Sequence, residues 1–162
     1  MVVVDSSALI PLAWVGRLEL IPAVFDDVRT TTIFEDEVLV EGKRGVGALE
    51  RFLEEVSIVD VPSRAEDVAA MEGIAVGDAS VVLLAAAEDE PLLANDRALI
   101  GVARSHGVDT RWVTTLLLLC VKDDVLSGEE ANDVLYDLVS EGMNLSPQVY
   151  VRVQRMLEDV GE

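Results

Sequence analysis

The chain opens with Val2-Val3-Val4 and stops at once on a carboxylate, Asp5, followed by Ser6 and Ser7. Three β-branched residues with no polar alternation read as a strand buried on both faces, the pattern of a parallel sheet. Such a strand demands helices over each face of its sheet and further short apolar strands along the chain. In open α/β sheets, ligands bind just beyond the carboxyl ends of the strands. Asp5 stands at that place. Alone it would serve equally well as the cap of the next helix, so the question is whether other acids converge on the same point.

The rest of the chain supplies the required alternation. Residues 6–15 read as a helix, bent or delayed by Pro11, and 18–25 as a second one limited by Pro22. An extended segment at 29–31 precedes Thr32 and Glu35, which have capping-box spacing and open a helix to about residue 40. Gly42, Gly45 and Gly47 mark a turn around Lys43 and Arg44, ahead of a helix at 46–55 and a strand at 57–61. Ser63 and Glu66 repeat the capping-box spacing before a helix that ends near Gly73. Gly77 precedes Asp78 and an apolar helix to about residue 88. A strand at 92–94 leads through Asn95-Asp96 into a helix at 97–105, and 111–113 is the last strand. The remainder is helical: 114–121, 129–140 after a Ser127/Glu130 capping box, and 148–160 after Ser146-Pro147. This order predicts a three-layer α/β/α fold with a mostly parallel central sheet. A helical C-terminal extension, about 123–162, closes a single domain of residues 1–162.

Composition narrows the class. The chain is 51% hydrophobic but only 4% aromatic, so its core is built from Val, Leu, Ala and Ile. The apolar stretches 81–87 and 116–121 are too short to span a bilayer, and no basic segment precedes the first strand. The single cysteine, Cys120, reads as a core thiol of a cytoplasmic protein. Acids outnumber bases 31 to 12, for a net charge of −19, and only Lys43 and Lys122 are lysines. A nucleic-acid binder is ordinarily basic. Acid excess with so few lysines suggests adaptation to high salt, where surface carboxylates are screened and counterion release adds little to binding.

Asp5 and Asp96 both follow apolar runs at strand ends, and Asp78 opens a largely apolar helix. Each has an ordinary structural use, as an N-cap or as a partner of the helix dipole. Three inward-facing acids together are harder to explain that way, because uncompensated buried carboxylates are costly. A divalent cation is the usual compensation, and oxygen-only ligands favour Mg²⁺ or Mn²⁺. Residues 32–41 add Glu35, Asp36, Glu37 and Glu41, and spacing alone does not choose among Glu37 and Glu41.

Asp5-Ser6-Ser7 after the first strand, an acid in the helix after the second, Gly77-Asp78 opening an apolar helix and Asn95-Asp96-Arg97 after a late strand together resemble a PIN domain. Further stretches resemble a prokaryotic VapC-like subgroup: Val15-Gly16-Arg17-Leu18-Glu19-Leu20-Ile21, Glu37-Val38, Gly77-Asp78-Ala79-Ser80, Leu93-Ala94-Asn95-Asp96-Arg97 and Val113-Thr114-Thr115-Leu116. The tail, Gly142-Met143-Asn144-Leu145-Ser146 and a final helix, is similar too.

The resemblance implies a metal-dependent nuclease cutting RNA, commonly a toxin held by an antitoxin, and a homodimer. Position by position it selects Asp5, Glu37, Asp78 and Asp96 as metal-binding and catalytic acids for one or two Mg²⁺ or Mn²⁺ ions. Ser6 and Asn95 would lie beside the cluster, with Lys43, Arg44 and Arg97 as candidate phosphate contacts or ordinary surface charge. His106 is expected to face solvent near the Gly107 turn. Two positions depart from the pattern. Gly77-Asp78 replaces the usual Gly-Glu, and Thr31 stands where a proline commonly precedes the second helix. Aspartate-based phosphoryl transfer is disfavoured, since Ser7 occupies the place of the second aspartate it needs. The alternative is a degenerate PIN fold acting as a binding or scaffold module.

Overall fold

The computed structural model describes residues 1–33 and 43–161. Among the described residues five short strands, β1 (Val2–Val4), β2 (Val28–Thr31), β3 (Ser57–Val59), β4 (Leu92–Leu93) and β5 (Thr110–Arg111), form one sheet in the order β3-β2-β1-β4-β5. All four pairings are parallel. Val2, Val3 and Val4 are wholly buried, as the absence of polar alternation in β1 predicts.

Nine helices are described: α1 (Ser6–Trp14), α2 (Leu20–Val24), α3 (Val46–Leu53), α4 (Ala65–Glu72), α5 (Val76–Glu88), α6 (Arg97–Ser105), α7 (Val113–Lys122), α8 (Gly128–Ser140) and α9 (Pro147–Val160). One layer holds α4, α5 and α6, with α5 lying against β1, β2 and β4. The other gathers α1, α2, α3 and the C-terminal trio, in which α9 packs on both α7 and α8. The α/β/α architecture is as the sequence predicts. Among the described residues no single helix is long and apolar enough to cross a membrane.

Local differences have physical causes. Helix α1 runs on through Pro11 to Trp14, anchored by Asp5 as its N-cap. The expected Ser63/Glu66 capping box does not form. The Ala65 amide bonds the Pro62 carbonyl at 3.1 Å, and this turn makes Arg64, without a side-chain cap, the residue before α4. Val113 opens α7 rather than closing the last strand, because a short apolar run does not distinguish a strand from a buried helix start. The Thr32/Glu35 spacing falls mostly outside the described residues, although Thr32 and Ile33 are helical.

The Ser127/Glu130 capping box is present in full: Ser127 Oγ accepts from the Glu130 amide at 3.0 Å, and Glu130 Oε1 accepts from the Ser127 amide at 3.1 Å. Next to it, Gly128 allows α8 to touch α9. A Cβ there would lie 2.7 Å from the Leu157 carbonyl oxygen, so the backbone itself would have to move. Gly128→Ala should destabilise the fold by about 1–3 kcal/mol, the range for overpacking, measured by urea denaturation. A loss below a few tenths would mean that the two helices separate freely. Cys120 is buried against this helical layer, and burial pushes its thiol up to about 11, which keeps it protonated and unreactive.

Candidate active site

From β1 the chain moves outward in one direction to β2 and β3, then returns to the other side for β4 and β5. The reversal leaves a crevice at the carboxyl ends of β1 and β4, where α/β folds bind ligands. Asp5 is the residue directly after β1, and Asn95-Asp96 lie just beyond β4. The Asp5 amide donates to the Leu93 carbonyl at 3.0 Å, so the two strand ends are tied together at this point.

Asp5 is only 1% exposed. Its Oδ2 accepts from Ser7 Oγ at 2.6 Å and from the Ser7 amide at 3.0 Å, which caps α1. Ser7 Oγ in turn accepts from the Asn95 amide at 2.8 Å. One hydroxyl therefore joins the end of β1 to the end of β4. Asp5 Oδ1 is buried with no hydrogen-bond partner. Burial holds the Asp5 carboxyl above its ordinary range, and hydrogen bonds from Ser7, the Asp78 side chain and the Ser6 backbone offset this only in part. The Ser6 contribution is thus a backbone one, and the hydroxyl contact belongs to Ser7. An apolar strand ending in Asp-Ser-Ser carried a signal for both serines, but the side-chain direction decides between them.

Asp78 sits in the first turn of α5. Its position is set by Ser80, whose Oγ donates to the Gly77 carbonyl at 2.6 Å and meets Thr31 Oγ1 at 2.6 Å. Thr31 and Ser80 are wholly buried, so this hydroxyl pair pins the start of α5 to the carboxyl end of β2. The contact brings the carboxyls of Asp5 and Asp78 within hydrogen-bonding range. Two carboxyls this close, one of them buried, need a shared proton or a cation. With only oxygen donors present, the pair suits a hard divalent ion such as Mg²⁺ or Mn²⁺. Among the described residues no group of three acids is gathered tightly enough to hold an ion.

Asp96 is exposed, and its Oδ1 accepts from the Leu99 amide at 3.1 Å as the N-cap of α6. Glu37 lies outside the described residues. Lys43 and Arg44 border a separate 280 Å³ groove with Ile10, Trp14, Val46 and Leu49. Arg44 is already engaged there, 4.1 Å above the Trp14 ring, with one nitrogen 3.2 Å from Glu141 Oε2 and another donating to the Glu141 carbonyl at 2.8 Å. Asn95 and Arg97 line a larger groove of 650 Å³ that begins at the end of β4. His106 is partly exposed beside the Gly107 turn, with Nε2 3.3 Å from Glu72 Oε1.

A parallel α/β sheet with acids at its switch point defines a class of site built for a charged ligand. The PIN domain family model of the DUF3368 type matches residues 1–159, and the chain belongs to the PIN-domain family. PIN domains are a nuclease superfamily, generally using divalent metals and acting on nucleic acid. The crystal structure of PAE2754 from Pyrobaculum aerophilum is similar in fold, with a TM-score of 0.55 and 19% identity over 74% of this chain and 94% of that one. No curated protein matches the chain.

Proposed function

We propose that this protein is a divalent-metal-dependent endoribonuclease of the VapC-like kind, a cytoplasmic toxin restrained by an antitoxin and working as a homodimer. The observation that carries the nuclease reading is Asp5, buried at the switch point with one carboxylate oxygen unpartnered and the Asp78 carboxyl against it. Asp5 and Asp78 would hold Mg²⁺ or Mn²⁺, with Asp96 and Glu37 completing the set. When bound, the ion supplies positive charge for the scissile phosphate and lowers the pKa of water for in-line attack. Within the protein, Ser7 fixes the rotamer of Asp5, and the Asn95 amide fixes Ser7. The Thr31–Ser80 pair keeps Asp78 in reach. The toxin role, antitoxin and dimer rest on the VapC-like motifs, and the high-salt setting rests on the charge of −19.

The test is cleavage of an end-labelled single-stranded RNA by the purified chain in Mn²⁺ and in EDTA. Cuts that require Mn²⁺ are expected. If RNA stays intact in Mn²⁺, and calorimetry detects no ion binding, the chain is instead a PIN-fold binding module.

A further inference from the structure

The 650 Å³ groove is assembled from three separate parts of the chain: Asn95 and Arg97 where β4 leads into α6, Trp112 and Thr114 at the β5–α7 junction, and 144–146 between α8 and α9. Its size is that of a small-ligand cleft, room for a nucleotide rather than for a duplex. Its chemistry is mixed. Trp112 is half-buried, packed on the core and lining the groove. Arg97 is exposed and forms no ion pair among the described residues, in a chain with 31 acids. Helix α7 begins beside it with no side-chain cap, leaving first-turn amides for another acceptor. One residue of the groove is tied to the acids: the Asn95 backbone amide bonds Ser7 Oγ, itself bonded to Asp5.

An aromatic ring and a cation lining one groove suit single-stranded nucleic acid, the ring stacking a base and the cation taking a phosphate. Net negative charge removes long-range attraction, so short-range stacking has to carry recognition. We propose that this groove holds the nucleotide next to the scissile phosphate, its base stacked on Trp112 and its phosphate at Arg97. The proposal rests on the ribonuclease reading and adds that the α8–α9 connection forms one wall of the RNA track.

Binding is tested apart from cleavage, using the full chain in EDTA and a short fluorescein-labelled oligouridylate read by anisotropy. Trp112→Leu keeps an apolar side chain but removes the aromatic ring. It should weaken binding by about tenfold, within the range for loss of one stacked base, while Trp112→Phe should stay within about threefold of the unsubstituted chain by the same stacking logic. Arg97→Ala should make the log–log salt dependence shallower by about 0.7, the value for one single-strand phosphate contact. Circular dichroism confirms that each variant is folded. The proposal falls if the unsubstituted chain binds no oligonucleotide, if Trp112→Leu binds as it does, or if Phe is as weak as Leu. Oligonucleotide binding indifferent to both Trp112→Leu and Arg97→Ala would place the RNA outside this groove and also overturn it. If the RNA is never cut in Mn²⁺ but Trp112→Leu still loses binding, the groove assignment stands and the nuclease reading fails.

Discussion

Asp5→Asn should abolish RNA cleavage and, in the metal-free protein, raise stability near neutral pH. The two effects have one origin. The carboxyl is 1% exposed, and burial raises its pKa above the ordinary 3.8. For an acid with a raised folded-state pKa, the native state binds the proton more tightly than the unfolded chain does. The cost of carrying the charge is therefore fully present above the folded pKa and fades as pH falls toward the unfolded value. Asparagine keeps an oxygen for the Ser7 hydroxyl and amide but carries no charge. Its metal-free melting temperature should exceed that of the unsubstituted chain at pH 7, with the gap closing as the solution is acidified. Mn²⁺ should reverse the ranking, since an ion that binds only the native state stabilises it by mass action. Activity should drop by at least about a hundredfold, since even supporting residues around a metal site cost 10–100-fold. Melting curves across pH with and without Mn²⁺, alongside RNA cleavage, read both effects. Equal cleavage by the two proteins would remove Asp5 from the chemistry.

Ser7→Ala should be the second most damaging change, although serine after a capping aspartate looks dispensable. Its hydroxyl donates to Asp5 Oδ2 at 2.6 Å and accepts from the Asn95 amide at 2.8 Å. Alanine leaves that amide without its partner and leaves Asp5 Oδ2 held by the residue-7 backbone amide alone. The Asn95 amide is partly buried, so leaving it unsatisfied should cost about 1 kcal/mol, the low end for buried groups, and loss of a residue that orients a metal ligand costs about 10–100-fold in metal affinity or activity. Chemical denaturation gives the first quantity and Mn²⁺-titrated cleavage the second. Ser6→Ala, whose backbone alone reaches Asp5, is the control. If the two serine variants behave alike, the Ser7 bridge has no part in positioning Asp5.

Much of the fold could be read along the chain. Val2-Val3-Val4 has no polar face, so any sheet containing it must be covered on both sides. Ser127 and Glu130 satisfy each other's amides over one helical turn, a contact that needs no distant partner. The same spacing misled at Ser63 and Glu66, where the turn accepted by Pro62 starts the helix elsewhere. Arg44 shows a different limit. Its position in a glycine-rich turn suggests a free cation, but its partners are Trp14 and Glu141, far off in sequence.

What the sequence by itself determined was local: strands that end on acids, helices with identifiable caps, and the Asp-Ser-Ser, Gly-Asp and Asn-Asp-Arg stretches of a PIN domain. Which atoms meet was decided by the tertiary structure. The order β3-β2-β1-β4-β5 places residues 5 and 95 side by side, 90 positions apart in the chain. The Thr31–Ser80 contact brings Asp78 to Asp5, while Asp96 spends one oxygen on its own helix. These outcomes follow from strand pairing and helix docking, long-range contacts that no window of local sequence contains.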